Sequence, residues 1–449
     1  LPQKLIRGLG LLEATALNMS NMVGIGPFIT IPLIIGAMGG PQCMLGWALG
    51  AGIALCDGLV WSELAASIPA TGGTYAYLRE AFRTTRLGGV LPFLFIWQFI
   101  FSGPLEIASG CIGFAQYTGY FWPGMTVAAT RAVSMSVGLL VVLMLYRKVT
   151  SIGKLTVILW IGMLITGLWV IFAGLTHFNS KVAFDFPPNA FRFSSGFVIG
   201  LGSSTLIAVY DFMGYYDICY VGGEVRNPGR VIPRSILYSI IVIAALYALA
   251  NLGIIAVVPW REAMHSKFIA SDFMTKLYGA RAASTVTILV LWTALASIFA
   301  LLFGYSRIPY AAALHGDFFK IFARLHPRGE FPSVSLLFIG AISIAACLFT
   351  LDDVITALVT SRILIQFIAQ IFALVYLRKT RPAMPRPFRM WLYPLPAAIA
   401  FLGWTFLFFT SGWKFAVFGV LTLVAGTVAY YIWSYLGARN THESQNHPD

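Results

Sequence analysis

Apolar residues run in long, nearly uninterrupted stretches along almost the whole chain, and polar residues gather in the short intervals between them. A stretch of about 18 residues or more crosses roughly 30 Å of hydrocarbon as a helix. The pattern predicts twelve such spans, at about 12–37, 41–66, 90–118, 126–146, 152–175, 195–221, 234–258, 284–305, 333–350, 353–377, 391–410 and 415–437. Membrane β-barrels lack runs of this length. The expected fold class is therefore an all-α integral membrane protein with 12 transmembrane helices. Composition agrees, since 58% of the 449 residues are hydrophobic and only 10% are charged, with a mean hydropathy of +0.81. Soluble domains carry about a quarter charged residues. The first span follows Lys4 and Arg7 as a signal peptide would, but its length and the lack of a small-residue cleavage site mark it as retained.

The net charge of +13 is distributed by side. Sorting the 30 Lys and Arg by loop puts twenty on one side of the expected membrane, among them Arg7, Arg79, Arg147, Arg226, Arg307, Arg378 and Arg389, and seven on the other. Arg131, Lys154 and Arg362 fall within spans or at their ends. By the positive-inside rule both termini are cytoplasmic, in a multi-pass protein of the cell membrane. The same rule accounts for the basic character without nucleic acid. The five cysteines have no paired spacing, and the six histidines lie in loops or tail with no metal-ligand spacing, so no disulfide, metal or cofactor is expected. No phosphate-binding G-x-x-x-x-G-K-[ST] motif is present, and no span pairs a nucleophile with a histidine, which argues against an ATP-driven pump and against an enzyme.

Two spans are interrupted near mid-depth. The first contains "VGIGPF", with Gly24, Gly26 and Pro27, and the sixth contains "YDFMGYYD", with Asp211, Gly214 and Asp217. Gly26 and Gly214 lie five spans apart, so the units around them have opposite topology, as in an inverted repeat of spans 1–5 and 6–10 with spans 11 and 12 appended. Unpaired backbone groups in hydrocarbon cost several kcal/mol each, so two such breaks imply a cavity. Half-helix N-termini offer N–H donors to a carboxylate, and exposed carbonyls suit an ammonium. Pro27 fits a half-helix start but removes one donor.

These residues resemble the amino acid–polyamine–organocation superfamily of permeases along nearly the whole chain. Gly24-Ile25-Gly26-Pro27-Phe28 stands at its G-S-G-I-F-like motif. "ELAASIPATGGTYAYLREAF", "GGEVRNPGRVIPRSI" and "YLRKTRPAMPRPFRMWLYP" follow in the expected order. The resemblance implies a LeuT-type 5+5 inverted repeat with discontinuous helices 1 and 6. Residues 1–175 would be the first repeat, 176–380 the second, 381–438 the last two spans and 439–449 a polar cytoplasmic tail.

By the resemblance, backbone at Gly24, Ile25 and Gly26 holds the substrate carboxylate. Carbonyls at Met22, Val23, Tyr210, Asp211 and Met213 hold its amino group, around the break at Gly214, with Tyr210 as outer gate. Lys154 in "IGKLTVILW" would stand near the sodium site of coupled relatives, as a fixed cation or a proton carrier, so sodium is not expected. Glu63 and Glu224 are expected to be structural or gate residues. Trp97, Phe101 and Tyr117 are loose candidates for the pocket.

Intramembrane acids are functional candidates by default. Glu106, Asp211 and Asp217 favour a positively charged substrate if they are free. The alternative is that they pair with Arg131 or Arg362, or cap the broken helix. The expected function is secondary-active transport of amino acids by alternating access, proton-coupled or by exchange, with cationic amino acids attractive. The alternative is uptake of polyamines such as putrescine or spermidine, because "SGPLE" and "YYDICYVGGEVRNP" are similar to that branch.

Overall fold

The computed structural model describes residues 7–147 and 149–445. Lys4, Lys148 and the end of the polar tail, His447 included, lie outside them. The chain begins with α1 (Leu11–Val23) and α2 (Gly26–Met38), then α3 (Met44–Ser67), the short α4 (Thr74–Phe82), α5 (Val90–Thr118), α6 (Val127–Leu145) and α7 (Val149–Thr176). A turn, α8 (Ser180–Ala183), leads to α9 (Ser195–Phe212), α10 (Asp217–Tyr220), α11 (Pro228–Ile255), α12 (Trp260–Ala263) and α13 (Ile269–Tyr278). The remainder is α14 (Ala280–Tyr305), α15 (Arg307–Leu314), α16 (Ser333–Ala346), α17 (Leu351–Arg362), a π-helix (Ile363–Ile368), α18 (Ala369–Thr380), α19 (Leu395–Thr410) and α20 (Trp413–Gln445).

Among the described residues, nine helices are long and apolar enough to cross a membrane, and the α1–α2 pair, bent by 43°, makes ten. α16 and α19 are shorter apolar helices. Helix starts follow ordinary capping chemistry: Thr126 and Ser194 accept from the N–H groups of Ala129 and Phe197. Within the bundle α1 packs on α7, α11 and α14, while α2 packs on α9. α3 lies against α9, α11 and α19, and α5 against α6, α14 and α17. Both interrupted helices are therefore enclosed by protein rather than lipid, which is where broken backbone is tolerated.

Each break has a local cause. Gly24 and Ile25 separate α1 from α2, and Pro27 occupies the first turn of α2, where its missing N–H interrupts no intrahelical bond. α9 ends at Phe212, and Gly214 adopts φ 112° before α10 begins at Asp217. An L-residue rarely takes that backbone conformation.

The end of the bundle that carries the N-terminal segment is tied shut. Glu63 is ion-paired with Arg378 and, at 3.4 Å, with Arg386. Buried Glu224 pairs with Arg307 at 2.9 Å, and its carbonyl accepts from the N–H groups of Gly8 and Leu9. In α4, Tyr75 donates to Asp317 at 2.5 Å. Burial and that carboxylate push the Tyr75 phenol up, so it remains a donor.

Candidate functional site

The two breaks face each other across a cavity lined by Asn21, Met22, Gly24, Ile25, Gly26, Glu106, Ser109, Tyr210, Asp211, Met213 and Ser297. Of the expected binding residues, Val23, Gly214 and Asp217 lie beside the breaks but not on this lining. The cavity holds about 20 Å³, which is room for about one water. A much wider cavity of about 820 Å³ opens on the other side of α2, lined by Ile29, Pro32, Leu33, Gln116, Tyr120 and Trp122.

Gly24 and Ile25 lie between the two half-helices, and among the described residues their N–H groups donate to no protein acceptor. Gly26, as the first residue of α2, lacks an intrahelical acceptor by position. Three backbone donors thus converge where the α2 dipole is positive, an arrangement suited to a carboxylate. The carbonyl side differs from expectation. Tyr247 of α11 donates its hydroxyl to the Met22 carbonyl and, at 3.0 Å, to the Asp211 carbonyl. Two of the carbonyls expected to receive an ammonium are therefore held by a phenol that bridges the broken helices.

Tyr247→Phe strips both carbonyls of that donor. A lower thermal midpoint is expected, on the scale of about 1–3 kcal/mol for buried polar groups left unpaired. A ligand that carries an ammonium to the vacated oxygens should recover more of the loss than it adds to the unmodified protein. An equal substrate-induced shift in both proteins would count against these carbonyls as the amine site.

The acids are not free anions. Glu106 is ion-paired with Arg362 and accepts from Tyr305, and Arg362 also donates to Ser102 at 3.1 Å. Arg131 is exposed and plays no part. A paired Glu106 adds no net charge to the cavity wall, which leaves Asp211 there as the acid that could favour a cationic substrate. Thr30 donates to Asp211 at 2.5 Å, and Asn21 of α1 donates to Asp217 at 2.8 Å. One oxygen of each aspartate lacks a partner among the described residues.

Tyr210 stands on the cavity wall with its hydroxyl 2.8 Å from that of Ser109. Lys154 is exposed on α7 and does not reach the cavity. The burial that a fixed cation or tuned proton carrier needs is missing there, and the cation beside the site is Arg362. Trp97 and Phe101 lie on apolar outer grooves instead, whereas Tyr117 donates to the Phe28 carbonyl of α2 at 3.1 Å.

Asn21, Thr30, Tyr247, Ser297, Tyr305 and Asp57 were not singled out from the sequence. Asn21 and Asp57 carried a signal, being polar groups inside apolar spans, whereas Tyr247 and Tyr305 read as ordinary membrane aromatics.

The amino acid permease family model matches residues 9–437. Asc-type amino acid transporter 1 of Homo sapiens is 28% identical over 94% of this chain and 82% of its own length. Serine/threonine exchanger SteT of Bacillus subtilis is 24% identical over 88% of this chain and 89% of its own length. Branched-chain amino acid permease BcaP of the same organism is 23% identical, with 96% and 94% covered.

Proposed function

Because the chain belongs to the amino acid permease family, we propose that it is a secondary-active carrier of neutral L-amino acids, working by alternating access with proton coupling or exchange. The observation that carries this reading is the group of open N–H donors at Gly24, Ile25 and Gly26 facing the second break across a closed cavity. A substrate carboxylate binds at that group. Its ammonium takes the carbonyls now held by Tyr247, together with those of Val23, Tyr210 and Met213. The Glu106–Arg362 pair cancels its own charge beside the cavity, which supports neutral side chains at that wall. The relatives named for branched-chain amino acids, and for serine and threonine, point the same way.

In this reading the twelve spans form two inverted repeats of five plus two appended helices, with both termini cytoplasmic. The tied end at Glu63 and Glu224 is then the cytoplasmic side, and the wide cavity is the outer approach. Sodium has no assigned place, and no cofactor takes part. Polyamine uptake is the second reading, favoured by the unpartnered oxygens of Asp211 and Asp217.

One screen decides between them: thermal shift and proteoliposome counterflow with the twenty amino acids, their methyl esters, putrescine and spermidine. Free neutral amino acids should bind, and their esters should lose at least about tenfold in affinity, or 1.4 kcal/mol. Esters that bind as tightly as the acids would rule out carboxylate capture at Gly24–Gly26. Binding by the amines alone would establish the second reading.

A further inference from the structure

Asp57 has no part in the site described above, yet it is buried in the middle of α3. One carboxylate oxygen accepts from Tyr215 at 2.5 Å and from Trp61 at 2.9 Å. The other has no partner among the described residues, and neither does the nearby indole N–H of Trp404. Tyr215 belongs to the unwound stretch between α9 and α10. Trp404 of α19 stacks on Phe367 with ring centroids 3.7 Å apart, and Phe367 lies in the π-helix that begins directly after Arg362. Asp57 thus touches the second break through one neighbour and the helix bearing Arg362 through another. Single π-turns inside helices are frequent at functional sites.

No cation pairs with Asp57 among the described residues. The titratable groups around it are Cys56 on α3 and Tyr215 and Tyr216 in the unwound stretch. The α11 side chains against neighbouring Gly58 are Ile236 and Ile240. α9 meets α3 at Gly46 and Gly50 through Ser204, Ala208, Val209 and Phe212, none of them titratable; α19 has no titratable side chain, the π-helix contributes only Gln366, and Arg378 of α18 is spent on Glu63. An intramembrane carboxylate held only by neutral donors carries a cost of several kcal/mol that one proton removes. Ionised, Asp57 only accepts hydrogen bonds. Protonated on its free oxygen, it still accepts from Tyr215 and Trp61, though more weakly than a carboxylate does, and it turns an O–H toward the indole N–H of Trp404, a donor that must give way.

We propose that Asp57 is a proton-binding site of this carrier, whose occupancy is transmitted through Tyr215 to the unwound stretch and through Trp404 and Phe367 to the π-helix. The inference rests on the transport reading only for its consequence in coupling. The site itself is testable without substrate.

The test is a pH titration of tryptophan fluorescence on purified protein in lipid nanodiscs, since Trp61 and Trp404 both adjoin the carboxyl. A titration step is expected in the unmodified protein and should vanish in Asp57→Asn. Tyr215→Phe, which keeps the carboxyl but removes a donor, should retain the step at a shifted pH, and this variant decides the matter if Asp57→Asn does not fold. In proteoliposomes, accumulation driven by a pH gradient should be lost in Asp57→Asn while counterflow persists. The same step in Asp57→Asn, an unshifted step in Tyr215→Phe, or no step in the unmodified protein would overturn the proposal. A step that behaves as expected in protein that moves no amino acid would sink the transport reading and leave the proton site standing.

Discussion

Arg362→Ala is expected to abolish transport and to lower the thermal midpoint more than any single change in the cavity wall beside it. Arg362 is fully enclosed and holds Glu106, which is itself almost wholly buried. Removing one member of a buried ion pair leaves an uncompensated charge, at about 3–5 kcal/mol. Tyr305 and Ser102 also lose a partner. Replacing both members together, as Glu106→Gln with Arg362→Met, removes the charges in a matched way and should restore most of the midpoint, since such replacements are often neutral in stability. A double-mutant cycle reads the coupling directly. An Arg362→Ala protein with an unchanged midpoint would show that the pair does not hold α5 to α17. Glu106→Gln alone should impair neutral and cationic substrates alike, because its first effect is to strand Arg362.

Gly26→Ala tests the binding geometry rather than the scaffold. A Cβ at Gly26 would fall on the carboxylate of Asp211 and lie 3.5 Å from the ring of Tyr210. The cavity there has no spare volume, so Asp211 must leave Thr30 or the half-helices must separate. Folded protein with at least about a tenfold loss of substrate affinity, 1.4 kcal/mol, is the expected result. Gly36→Ala on the same helix is the control, because a Cβ there meets nothing within 4 Å. Unaltered affinity in Gly26→Ala would mean that the substrate does not sit between the breaks.

The two breaks were legible because glycine, proline and aspartate stand out inside apolar runs, and among the described residues nine helices, or ten with the bent α1–α2 pair, are long and apolar enough to cross a membrane. What pairs with what was less legible. Glu106 and Arg362 are far apart in sequence, and only the packing of α5 on α17 brings them together; the sequence left Arg131 as an equal candidate. For Lys154 a motif fixes position along the helix but not which way the side chain faces, and here the residue is exposed and off the cavity lining. Tyr247 could not be found from pattern, since its role lies in two carbonyls on other helices. Asp57 was visible as an acid in "ALCDGLV" but sits apart from any motif. The π-helix follows from tertiary contacts around Phe367 and Trp404, and no residue type announces it.

The ties at Glu63 and Glu224 have a consequence for the direction of flow. One end of the bundle is fastened by buried ion pairs and by the backbone of Gly8 and Leu9, whereas the ion pairs at the other end, Arg261–Asp185 and Lys276–Glu262, are exposed, and that end opens in a wide cavity. A carrier built this way rests with its empty site turned toward the wide cavity, because the opposite posture must first break the ties. If the chain works as the carrier proposed above, half-saturation should be reached at a lower concentration from the wide-cavity side than from the fastened side, and equal values from both sides would count against the ties as the cause.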